Sequence, residues 1–63
     1  MKLQDYISQE NKKLIDCAAE LGISAASVHR YARKGRTPKP DIMNKIVKWS
    51  EGNVMPNDFL TEN

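Results

Sequence analysis

Disulfide chemistry is closed to this sequence, because Cys17 is its only cysteine. A lone thiol cannot staple a fold internally, and it suits a reducing, cytoplasmic setting. No apolar run approaches the roughly 18–20 residues that a membrane span needs. The opening "MKLQDYISQENKK" lacks the continuous apolar core of a signal peptide. His29 is the only histidine and the acids are scattered, so no metal site and no catalytic acid–base pair is expected. There is no Gly-rich phosphate loop and no Ser-His-Asp candidate either. Enzyme chemistry, cofactors and small-molecule ligands therefore form no part of the expectation. Long β-branched alternating runs are missing too, which removes the signature of strands and predicts an all-α chain.

One further absence is local. Residues 24 to 40 contain no acid at all, while Arg30, Arg33, Lys34, Arg36 and Lys39 give that segment a charge of +5. The flanking segments are mildly acidic, at −1 for residues 1 to 23 and −2 for residues 41 to 63. A net charge of +2 thus conceals a basic block set between acidic ones, a distribution that points to an oriented contact with a polyanion.

What is present reads as a small four- to five-helix domain over residues 1–63. Leu3, Tyr6 and Ile7 give a first apolar stripe, predicting a helix over 2–9. A second helix is predicted over 12–21, with Asn11 as N-cap and Leu14, Ile15, Cys17, Ala18 and Leu21 as apolar positions. Gly22 follows where a left-handed residue closes helices. A third helix is predicted over 25–34, capped by Ser24 and anchored by Val28 and Tyr31. Pro40 suits the first turn of a fourth, over 40–51. Its apolar positions, Ile42, Met43, Ile46, Val47 and Trp49, span about 160° at about 100° per residue, wider than one core-facing stripe requires. A short turn is predicted over 56–60.

Between residues 14 and 31 several features recur together. Ala18 is small, Gly22 sits in a turn four residues later, and Cys17, Leu21, Ile23, Val28 and Tyr31 are apolar. A small residue at 18 lets two short helices cross closely, and glycine at 22 accepts positive φ without steric penalty. Two helices joined in this way form a helix-turn-helix, whose second helix can enter a DNA major groove.

The run "CAAELGISAASVHRY" resembles the Cro and lambda-repressor-like helix-turn-helix family. The motif covers about residues 12–34, and "LQDY" and "GNVMPNDF" resemble phage Cro-like proteins more loosely. The resemblance implies that the third helix meets base edges through Ser24, Ala25, Ala26, His29, Arg30 and Arg33. The alanines permit close approach and can pack on thymine methyls, while an arginine can fork onto guanine O6 and N7. Ser27, Lys34, Arg36 and Lys39 fall to phosphate contacts, which position without specifying. The family places a polar, phosphate-holding residue where this chain has Leu14, so Asn11, Lys12 and Lys13 are expected to supply that contact.

The resulting expectation is a transcriptional regulator, a phage- or prophage-type repressor that binds a palindromic operator in double-stranded DNA as a homodimer. Trp49, Val54, Met55 and Phe59 are the expected dimer surface, with the tail 53–63 contributing. Two rival readings accompany it. One is a helical protein-interaction module docking through the edge of the fourth helix; the other is an antitoxin or a recombination accessory factor.

Overall fold

Gly22 has φ +74°, and its N–H and that of Ile23 both donate to the carbonyl of Ala18, at 2.8 and 3.0 Å. This Schellman closure ends one helix and turns the chain into the next. The structure, a computed structural model, describes residues 1–59. Its elements are α1 (Leu3–Gln9), α2 (Leu14–Leu21), α3 (Ala25–Arg33), α4 (Pro40–Trp49) and a 3₁₀ turn at Pro56–Phe59. No strand occurs among the described residues, so the domain is all-α with four α-helices. The Cα radius of gyration, 10.4 Å, matches the value of about 10.6 Å expected for a compact chain of this length.

α2 packs against α3, α1 against α3, and α4 against α2. The core between them holds Leu3, Tyr6 and Ile7 from α1, Cys17, Ala18 and Leu21 from α2, Val28 from α3, and Met43 and Ile46 from α4. Val54 and Phe59 close it from the C-terminal side. Burial pushes the Cys17 thiol above its ordinary pKa, which suits a packing residue better than a nucleophile. Ala18 is almost fully covered, consistent with its part in the close α2–α3 approach.

Four expectations are corrected. α2 starts at Leu14, with Lys13 in the N-cap position and no side-chain cap. Asn11 instead closes α1: it has φ +56°, its N–H donates to Ser8 O, and the Lys12 N–H donates to Ile7 O, both at 3.1 Å. Asparagine tolerates this left-handed state as well as it caps helix starts, and here the first role prevails. Ile15 lies outside the core at 66 % exposure, because α2 turns the stripe Leu14, Cys17, Ala18, Leu21 inward and Ile15 sits a quarter-turn off it. α4 ends at Trp49 rather than 51, and its left-handed closing residue is Glu51, φ +54°, one position before Gly52.

The fourth correction concerns the dimer surface. Val54 is 0 % and Phe59 5 % exposed within the single chain, so neither is available to a second copy. Ser50 is responsible: its buried hydroxyl accepts the Val54 N–H at 3.0 Å and folds the chain back under α4. The short turn predicted over 56–60 is a 3₁₀ turn as far as Phe59; Leu60 and the last residues of the 53–63 tail lie outside the described residues.

Candidate nucleic-acid interface

Ser24 opens α3 from an extended conformation, and its Oγ accepts the Ser27 N–H at 3.1 Å. The Ser24 hydroxyl donates to Ser27 Oγ at 2.9 Å, and Ser27 Oγ accepts from the Arg30 guanidinium at 3.3 Å. One chain of polar contacts thus runs from the cap along the first two turns. Val28 is the only fully buried residue of α3, with Tyr31 and Ala32 half-buried beside it. The 3.6-residue period then turns Ala25, Ala26, His29, Arg30 and Arg33 to solvent, and all five are exposed. Ser24 is exposed and Ser27 half-buried.

The basic loop after α3 is pinned rather than loose. Pro38 is buried, the Arg36 N–H donates to Arg30 O at 3.2 Å, and the Thr37 hydroxyl donates to Phe59 O at 3.4 Å. Lys34, Arg36 and Lys39 are left exposed on the surface that this path defines. Among the described residues, Lys12 is the only lysine or arginine in an ion pair. None of the five cations of residues 24 to 40 has an ion-pair partner among the described residues, an arrangement that favours a field toward an anionic partner.

The expected phosphate contacts before α2 divide. Lys12 Nζ lies 3.3 Å from both carboxylate oxygens of Glu20, and this partner raises its pKa. Lys13 and Asn11 are exposed. Glu20 also accepts the Trp49 indole N–H at 2.7 Å, and Trp49 sets its ring against Tyr6 edge to face, with centroids 5.3 Å apart. Trp49, expected at a dimer surface, is thus engaged inside the chain and only half-covered, while Met55 is 45 % exposed.

One part of this surface had no signal in the sequence. Arg33 Nε donates to Gln4 Oε1 at 2.6 Å, across 29 residues, and Gln4 Nε2 donates to Ser8 Oγ at 3.1 Å. α1 thereby reaches the end of α3. Beside this contact lies an open depression of about 460 Å³, lined by Gln4, Ile7, Ser8, Asn11, Lys12, Lys13, Leu14 and Arg33. No group of three or more metal-ligating side chains occurs among the described residues, and no helix there is long and apolar enough to cross a membrane. The chain matches no protein-family model, no curated protein and no solved structure.

Proposed function

We infer that this chain is a sequence-specific DNA-binding protein of helix-turn-helix type, in which α2 supports and α3 is the recognition helix. The observation that carries this reading is the outward face of α3 and its following loop. Small residues stand at its start, five cations without an ion-pair partner among the described residues follow, and no acid interrupts them in the sequence. An α-helix fits a B-DNA major groove only where its exposed face lets the backbone approach, and Ala25 and Ala26 give that clearance. His29 and Arg30 stand one turn on, within reach of base edges. Lys34, Arg36 and Lys39 fit the flanking phosphates, which supply affinity but no sequence information.

One short recognition helix reads only a few base pairs. Useful specificity therefore calls for two copies on a palindrome, with half-sites centred about 34–36 Å apart. With Val54 and Phe59 committed to the core, what is left of the expected dimer surface is Met55 and the uncovered edge of Trp49. A protein of this design regulates by occupancy: bound at a promoter it excludes polymerase, as the resemblance to phage repressors implies.

Selection from random duplex DNA with the purified protein tests this reading. A palindromic consensus is the expected outcome, and Arg30→Ala is expected to relax it at one position, costing about 1–3 kcal/mol on the best site. Recovery of no enriched sequence would sink the reading and favour a protein-interaction module.

A further inference from the structure

The two arginines of α3 are held differently. The Arg30 guanidinium touches Ser27, one turn toward the start of the helix, where a recognition helix meets bases. Arg33 is the last residue of α3, about 12 Å further along the axis than Ala25 at 1.5 Å per residue. Its Nε is tied sideways to Gln4 of α1, and Ser8 fixes the Gln4 amide so that its oxygen faces the guanidinium. Arg33 is one wall of the depression that Lys12 and Lys13 also line.

Among the described residues no carboxylate lines that depression. Glu20 offsets Lys12 from one side, while Lys13 and Arg33 have no ion-pair partner among the described residues. Arg33, Gln4 and the loop 11–13 come from three separate parts of the chain, and a guanidinium is suited to grip a phosphate with paired donors.

We propose that the depression between α1, the loop 11–13 and the end of α3 seats one backbone phosphate of duplex DNA, and that Arg33 clamps this phosphate instead of reading a base. Gln4 is then a positioning residue, holding Arg33 through its side-chain oxygen. The assignment rests on the DNA-binding reading above. It divides the work on α3, with Arg30 facing the bases and Arg33 the backbone, and it brings α1 into the DNA footprint.

The test uses the selected duplex and a set of copies, each with one phosphate replaced by a neutral methylphosphonate. The wild-type protein is expected to lose about tenfold or more in affinity when the seated phosphate is neutralised, the scale of a hydrogen bond to a charged group. Arg33→Ala is expected to lose a similar factor on the native duplex and nothing further on that one copy, because both changes remove the same contact. Its salt slope falls by about 0.9 and its base consensus is unchanged. Gln4→Ala weakens binding with the same loss of response at that phosphate. Gln4→Glu grips Arg33 more tightly yet repels the phosphate, so it binds more weakly than Gln4→Ala; the reverse order overturns the seat. Losses that add at every phosphate position, or a changed consensus in Arg33→Ala, overturn the seat while leaving DNA binding intact. A wild-type protein that binds no duplex overturns both.

Discussion

Ser24 sits where folding and the proposed DNA contact meet, and substitutions there separate the two. Its hydroxyl oxygen accepts the Ser27 N–H at 3.1 Å, satisfying one of the donors that the first turn of α3 leaves open. Ser24→Ala removes that acceptor, a loss worth about 1 kcal/mol within a span of about 0.5–2. At about 2.1 cal/mol/K per residue, a 63-residue chain has an unfolding entropy near 0.13 kcal/mol/K, so Tm should fall by about 8 °C. Ser24→Asp keeps an acceptor and adds a negative charge at the positive end of the helix dipole, worth about 0.3–1 kcal/mol in its favour. Its Tm is expected at or above that of the wild type. On DNA the order differs: the carboxylate would face phosphates, so Ser24→Asp should bind duplex more weakly than Ser24→Ala despite the better fold. Thermal unfolding by circular dichroism and duplex titration by fluorescence anisotropy read the two quantities. An unchanged Tm in Ser24→Ala would refute the cap, and unchanged DNA affinity in Ser24→Asp would refute the placement of Ser24 on the DNA face.

Three more outcomes follow from the described geometry. Glu51 carries a left-handed φ of +54° at the end of α4, so Glu51→Asn or Glu51→Gly should stabilise the domain by about 0.5–1 kcal/mol, seen as a raised urea midpoint; no rise in either would mean the strain is absent. Val54→Ala removes two buried methyl groups and should cost about 2 kcal/mol without altering cooperativity on a palindromic site; lost cooperativity at unchanged stability would return Val54 to an interface. Glu20, through the Trp49 N–H and then Lys12, and Asp58, through the Met55 N–H, are held below their ordinary carboxylate pKa values. Such groups stabilise the fold above the unfolded pKa, and that contribution fades as pH falls through the folded one. Stability should hold above about pH 5 and decline below it, with a Trp49 fluorescence change that Glu20→Gln makes shallower; identical acid profiles in the two proteins would dismiss the Glu20 contact.

The turn at Gly22 and the helix after it are legible in the sequence because their determinants are local. Ser24 caps and Gly22 turns left-handed for reasons that a few neighbouring residues contain, and the Val28 stripe follows from helical period alone. Asn11 was misread because the same side chain suits the start of one helix and the end of another. Its placement is decided by α1, which stops two residues earlier, and by the Lys12–Ile7 closure bond. Ile15 was recoverable in principle: with Leu14 as the first helical residue, the inward stripe already has its four members. The wide apolar span of the fourth helix, with further apolar residues in the tail, points Val54 and Phe59 to a surface rather than to the core. The Ser50 hydroxyl that folds the tail inward leaves no pattern in the sequence. Nor does any local signal connect Gln4 to Arg33, since that bond exists only once α1 has packed on α3.

The placement of charge explains why so small a domain can carry this surface. α3 gives the core only one buried side chain, Val28, while α1 and α2 give three each. In so small a domain each buried residue is a large share of marginal stability, so a helix with a narrow inner stripe constrains the rest of its sequence little. Its outward positions then vary at almost no folding cost, and surface substitutions at Ala26, His29 or Arg30 should stay within about 0.5 kcal/mol in stability. That leaves the outward face of α3, the proposed DNA contact, open to change while the scaffold stays fixed. Only Ser24, where the cap lies on the same face, and Arg33, which α1 holds, tie that face back to the fold.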